Sequence, residues 1–169
     1  MKSIVVLLEK MVEDSEFLYP YLRLKEEGYN VISAAPEKKM YAGKAGQSFK
    51  PDKAFSEVKN ETFDAVIVPG GYAPDIWRRD PEIVEFVKRH HESGKIIASI
   101  CHGPWLLISA GIVKGRNVTG SFAIKDDLVN AGANYEGKDW VEDDNILSST
   151  NPQTMLPMTK RLVEKLKEM

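Results

Sequence analysis

The chain has 169 residues, 43% of them hydrophobic and 28% charged, with a formal net charge of −2. That length supports one domain, residues 1–169, with a substantial core. The balanced charge leaves no basic stripe for nucleic acid, no stretch approaches the ~20 apolar residues of a membrane-spanning helix, and a single cysteine excludes an internal disulfide. No membrane association and a cytoplasmic location are therefore expected.

Ser3–Leu8 reads as the first strand, because its short apolar run is followed by no small-residue cleavage site of a signal peptide. Glu9–Asp14 form a loop. Ser15 is placed to cap a helix running to about Glu27, with Leu18, Leu22 and Leu24 as its apolar side, Pro20 bending it and Gly28 stopping it. Tyr29–Ala35 is the second strand. Between Pro36 and Phe55 the helical pattern disappears. Met40–Gly43 and Gln47–Lys50 flank glycines and predict a small hairpin outside the main sheet. Gly43 and Gly46 make no phosphate loop, since no Gly-Lys-Ser/Thr follows.

Asp64–Val68 is the next strand and ends in Pro69-Gly70-Gly71-Tyr72-Ala73-Pro74-Asp75. Paired glycines at the carboxyl end of a parallel strand let backbone come close to a ligand or to another segment. Asp80 then caps a helix from Pro81 to Ser93, closed by Gly94. Its late Lys88, Arg89, His90 and His91 match the helix dipole and predict a solvated basic end. Past residue 109, Asn117–Thr119 is a short strand and Ile124–Ala131 a brief helix whose Asp126 and Asp127 compensate the dipole. Val141–Ser149 holds one or two strands around Asp143-Asp144-Asn145. Pro152–Glu168 closes the chain as a helix with Met155, Met158, Leu162 and Leu166 buried. Alternating strands and helices predict an α/β fold, a parallel sheet sandwiched between helices.

The segment Lys95–Ser109, KIIASICHGPWLLIS, organises the rest. A buried strand, Lys95–Ile100, meets a helix that starts at Pro104, where a missing N–H costs nothing. The chain must turn sharply between them, which pushes the corner residue outward. Ser99 and Gly103 are small enough to permit such a corner, and Cys101 occupies it. A thiol at a helix start is expected to have a lowered pKa and to be nucleophilic.

Ligands of open α/β sheets bind beyond the carboxyl ends of the strands. Three segments meet there: the loop after the first strand, the Gly70-Gly71 loop and the Cys101 corner. The first brings Glu9, Glu13, Asp14 and Glu16, any of which could stand beside the thiol with a raised pKa and donate a proton; spacing alone does not choose among them. Three histidines and one cysteine form no zinc spacing, and no metal or other cofactor is expected. His102 adjoins Cys101 on a tight turn, where neighbouring side chains generally diverge.

The segments VEDSEFLYPYLRLKEEG, VPGGYAPD, ASICHGPWLLISAG and IKDDLVNAG resemble the ThiJ/PfpI family of intracellular proteases and glyoxalase or deglycase relatives. The resemblance runs over essentially the whole chain and implies a flavodoxin-like fold within the class I glutamine amidotransferase-like superfamily. It implies Glu13 as the carboxyl partner of Cys101 and oxyanion donors in the backbone of the Gly70-Gly71 loop and of His102. It also implies that an acid of a neighbouring subunit, at the position of Asp75, completes His102 in a homo-oligomer, a dimer or a hexamer built as a trimer of dimers. Several members carry Glu at that position. No histidine follows His102, so the later histidine of glutamine amidotransferases has no counterpart.

Three activities are compatible with these residues. The first is a cofactor-independent glyoxalase or deglycase, in which Cys101 attacks small reactive carbonyls such as methylglyoxal and lactate is released. The second is a PfpI-type cysteine peptidase acting on peptides through Cys101, His102 and Asp75. The third is a redox-sensing or chaperone stress protein using oxidation of Cys101.

Overall fold

The computed structural model describes residues 1–169. In chain order the elements are β1 (Ser3–Leu7), α1 (Asp14–Glu26), β2 (Asn30–Ala35), β3 (Tyr41–Ala42), β4 (Ser48–Phe49), β5 (Lys53–Ala54), α2 (Phe55–Val58), β6 (Ala65–Val68), α3 (Ala73–Trp77) and α4 (Pro81–Glu92). They continue as β7 (Ile96–Ile100), α5 (Pro104–Ser109), β8 (Asn117–Val118), a 3-10 turn at Phe122–Ile124, α6 (Lys125–Asn130), β9 (Asn134–Tyr135), β10 (Trp140–Asp143), β11 (Ile146–Ser149) and α7 (Met155–Glu168).

Seven strands form one sheet in the order β10-β11-β7-β6-β1-β2-β5, parallel except for β10 against β11. The inner strands β6 and β7 are buried along their whole length and β1 along all but its first residue, as a sheet covered on both faces requires. From β1 the chain first builds outward through β2 and β5, then returns to β6 on the other side of β1 and continues through β7 to β11. That reversal leaves a crevice beyond the carboxyl ends of β1 and β6, the place where this architecture accommodates ligands. The expected parallel α/β sandwich is therefore found, and β3 and β4 form the small hairpin outside it.

Two helix faces depart from the sequence reading. In α1 the buried residues are Asp14, Glu16, Phe17, Pro20 and Leu24, whereas Leu22 is 53% exposed and Leu18 only half-buried. Glu13 rather than Ser15 precedes the helix, and Pro20 lies within its continuous run. The inward face of α1 thus carries a carboxyl group, Glu16, among apolar neighbours. In α4 the basic end is not uniformly solvated, because His90 is buried against Phe86 and Phe63. The Phe63 N–H donates to His90 Nε2 at 3.0 Å, and Nδ1 lies 2.7 Å from the Phe86 carbonyl, so Nδ1 carries the proton and donates. The α7 stripe of Met155, Met158, Leu162 and Leu166 is buried as expected. Arg161 and Lys165 of the same helix bind Glu142 on the outermost strand β10. No helix is long and apolar enough to cross a membrane.

Burial lowers the pKa of His90, so folding excludes the proton that the unfolded imidazole accepts near pH 6.5. The folded state keeps this contribution above the unfolded pKa and loses it as pH falls toward the folded one. Urea titrations from pH 7 to pH 5 should therefore show stability falling. In His90→Leu the decline should be shallower, on a stability already lower by about 1–3 kcal/mol for the unpaired Phe63 N–H.

Candidate active site

Cys101 occupies the corner between β7 and α5 with φ +59°, one of three non-glycine residues at positive φ. A side chain there is strained, and the strain is what turns the thiol out of the sheet edge. Room for the corner comes from Gly103, where a Cβ would stand 2.5 Å from Ser99 Oγ and 2.6 Å from the Val68 carbonyl. The Cys101 N–H donates to the Ser149 carbonyl at 2.9 Å, and the Ser121 N–H to the Cys101 carbonyl at 2.8 Å, which fixes the strained residue on both sides.

The four candidate carboxylates separate by what they touch. Glu9 accepts from the Lys10 N–H at 2.8 Å. Asp14 accepts from the N–H groups of Ala45 and Gln47 at 2.7 and 2.9 Å and pins the turn of the β3–β4 hairpin. Glu13 forms an ion pair of 3.0 Å with Lys44, which that turn delivers. Glu16 has no cation partner and no solvent exposure. Its Oε1 accepts from the Gly70 N–H at 2.8 Å, and Oε2 is buried without a hydrogen-bond partner.

Gly70 places that carboxyl beside the thiol. A Cβ on Gly70 would stand 2.5 Å from Glu16 Oε1 and 2.9 Å from Cys101 Cβ, so both groups converge on a single point that only glycine leaves free. Burial first, then the Glu13 charge, pushes the Glu16 pKa up to about 8, which keeps it protonated at neutral pH. With Oε1 accepting from Gly70, the proton sits on the unpartnered Oε2.

The expectation of a lowered thiol pKa is corrected. Burial, followed by the Glu16 charge, pushes the Cys101 thiol up to about 12, against the opposing pull of the His102 N–H and Lys44. The helix that follows has only six residues and contributes too little to reverse this. Deprotonation needs a base, and the structure provides one: His102 Nδ1 lies 3.3 Å from Cys101 Sγ, so the two adjacent side chains meet rather than diverge. Burial and Lys44 lower the His102 pKa, keeping the ring neutral and able to accept a proton. Trp105 packs edge-on against that ring at 5.0 Å and is itself held by Asp127, which accepts from the indole N–H at 2.9 Å. Asp127, read from sequence as dipole compensation, is thus a tether for the residue behind His102.

Cys101, His102, Glu13, Gly71, Lys44 and Tyr72 line one niche of about 130 Å³. The Gly71 and His102 amides donate to no backbone carbonyl. Gly71 has φ +75°, and a Cβ there would overlap the Glu13 N and Met11 O at 2.4 and 2.5 Å. Asp75 lies on α3, half-exposed, and is paired with Arg79 one turn on; the acid whose charge acts on His102 within the chain is Asp127. Glu16 was one of four carboxylates that spacing left open, while Trp105 and Lys44 are the residues that sequence reasoning did not single out.

The description of the DJ-1/PfpI family matches residues 2–165. The chain belongs to that family. It is 43% identical over 165 residues to deglycase PfpI of Pyrococcus furiosus, covering 98% of this chain and 99% of the relative. It is 39% identical over 167 residues to the putative cysteine protease YraA of Bacillus subtilis, covering 98% and 99%. Among solved structures, Drosophila melanogaster DJ-1beta superposes with a TM-score of 0.93 at 26% identity, covering 98% of this chain and 90% of that one. The family's α/β sheet is the fold described above.

Two measurements follow from the two raised pKa values. Alkylation of Cys101 by iodoacetamide should be slow at pH 6 and accelerate steadily to pH 10 without the low-pH plateau of a stable thiolate, and His102→Ala should slow it about tenfold or more at pH 7. A plateau below pH 7 would refute the high thiol pKa. For Glu16 the folded pKa lies above the unfolded one, so its contribution is complete below about pH 4.5 and is lost as pH rises toward 8. Glu16→Gln should therefore be more stable than wild type in urea titrations, by on the order of 3 kcal/mol at pH 7 and by less at pH 5. An equal shift at both pH values would show that Glu16 folds as a carboxylate.

Proposed function

We propose that the protein is a cofactor-independent, cysteine-dependent enzyme of small reactive carbonyls, converting methylglyoxal to lactate and releasing the same carbonyl from its adducts with amines. The observation that carries this is the protonated, unpartnered Glu16 carboxyl beside a thiol whose own base, His102, is 3.3 Å away. A niche of about 130 Å³ suits a three-carbon dicarbonyl. The resemblance to relatives named as deglycases supports the same chemistry.

In this reading His102 Nδ1 takes the thiol proton as Sγ adds to the aldehyde carbon, and Glu16 protonates the aldehyde oxygen to complete a hemithioacetal. The Gly71 and His102 amides stabilise the negative oxygen as it develops. The Glu16 carboxylate then removes the C1 proton while protonated His102 donates to the C2 oxygen. Glu16 returns its proton to C2 as His102 takes the C1 hydroxyl proton, which leaves a lactoyl thioester. Water hydrolyses the thioester to lactate and restores the thiol. No electrons leave the substrate, because C1 is oxidised as C2 is reduced. Glu16 thus takes the part that the family resemblance assigns to Glu13, and Glu13 with Lys44 sets the charge around the niche.

The peptidase reading places its acid at Asp75 of a neighbouring subunit in a homo-oligomer, and requires Asp75 to leave Arg79. The carbonyl reading needs no such rearrangement. Lactate formation from methylglyoxal should be abolished in Cys101→Ala and fall at least a hundredfold in Glu16→Gln, while Glu13→Gln should fall no more than about tenfold. Equal loss in the two glutamate variants would return the proton shuttle to Glu13. Lactate production by Cys101→Ala at the wild-type rate would sink the proposal. Cleavage of a fluorogenic peptide, lost in Asp75→Asn, would favour the peptidase.

A further inference from the structure

His102 is the base that touches Cys101, yet its ring makes a single hydrogen bond within the chain, the 3.3 Å contact of Nδ1 with Sγ. No group of the chain bonds the far nitrogen, Nε2, on the side where a catalytic triad places its acid. Rotation of an imidazole about χ2 is soft and roughly twofold. A ring held only by its reaction partner would swing Nδ1 away from the sulfur unless packing stopped it. That packing comes from Trp105, whose indole stands edge-on to the imidazole with ring centres 5.0 Å apart and planes at 70°. The indole is in turn held from two other elements. Asp127 on α6 accepts from its N–H at 2.9 Å. The Arg78 guanidinium, at the end of α3, stands 5.7 Å from its ring centre, within cation–π reach. Arg78 Nε donates to Ser109 Oγ on α5 at 3.0 Å, which fixes the cation in turn.

We propose that Trp105 is a positioning residue, anchored by Asp127 and Arg78, that holds the His102 ring with Nδ1 toward Sγ and so does by packing what a triad acid does by hydrogen bonding. Three helices, α3, α5 and α6, converge on the one indole, and through it on the one imidazole. Trp105 lines neither the niche nor the larger cavity on the other side of Cys101, so it acts on the reaction only through His102. Small displacements of a reacting group cost large factors in rate, and a side chain packed behind the base is the means by which such displacements are prevented. The proposal rests on the reading of His102 as the base of Cys101 and adds the residues that make it one.

Two rates test this with the full chain: alkylation of Cys101 by iodoacetamide at pH 7, and lactate formation from methylglyoxal. Trp105→Phe keeps an aromatic ring but loses the N–H that Asp127 accepts. Asp127 is exposed, so Asp127→Ala removes the same restraint without opening the core. Each should slow alkylation about fivefold and lower kcat for lactate by a similar factor, with KM unchanged. Asp127→Asn, whose amide oxygen still accepts from the indole, should recover most of what Asp127→Ala loses. The deciding measurement is a double-mutant cycle. Trp105→Phe added to His102→Ala should cause no further slowing, because the ring it positions is gone. Alkylation at the wild-type rate in both single variants, or a full additional loss in the double variant, would overturn the positioning role. Coupled alkylation in a wild-type protein that makes no lactate would keep that role and overturn the carbonyl chemistry instead.

Discussion

A carboxyl group held away from water, with no cation to pair with, is the constraint that the rest of the molecule accommodates. Glu16 sits on the inward face of α1 where an apolar residue would cost nothing, and its one hydrogen bond comes from the Gly70 amide. Burying an isolated carboxylate is unfavourable enough that the group holds its proton instead. The proton is stored where the sheet reverses direction, between the loops of β1 and β6 and against the corner of β7. Gly70 must lack a side chain because the carboxyl and the cysteine need the same space. Backbone strain at Cys101 and close packing at Gly103 are the other costs of bringing thiol and acid together.

This arrangement differs from the familiar cysteine nucleophile that rests as a thiolate. Both the thiol and its acid are protonated at rest, and a neutral imidazole is the only group poised to remove a proton. Such a site is quiet toward indiscriminate electrophiles and becomes reactive when a bound carbonyl lets proton removal and attack occur together. The members of the DJ-1/PfpI family to which the chain is similar are named for deglycation, proteolysis and stress. A protected thiol beside a proton donor supports the first of these chemistries most directly.

Much of the fold was legible in the residues. Continuous apolar runs flanked by glycines marked the inner strands, and the short strand-to-helix passage around Cys101 marked the nucleophile's corner. Short elements went unread: β5, α2, α3 and β9 are two to five residues long, below the length at which periodicity speaks. The carboxyl partner could have been found from α1. The stripe Leu18, Leu22 and Leu24 left four acids equivalent, whereas the stripe Phe17, Pro20 and Leu24 carries Glu16 inward. A charged residue on that stripe was the available signal. His90 escaped for the opposite reason: its neighbours Lys88, Arg89 and His91 made the helix end look uniformly polar, and only tertiary packing shows one imidazole bonded at both nitrogens. The meeting of His102 with Cys101 depends on the rotamers of adjacent residues, which no spacing rule resolves.

Asp14 ties the hairpin turn to the first residue of α1, and backbone bonds from Met11 to Ala42 and from Lys44 to Val12 lash its sides to the loop after β1. The positive charge at the niche therefore arrives on an appendage that contributes nothing to the seven-stranded sheet. A graft that kept the anchoring geometry but altered the residue at its tip would change the electrostatic environment of the reacting sulfur without disturbing the scaffold. In this architecture, tuning the chemistry and holding up the protein are assigned to separable pieces of chain.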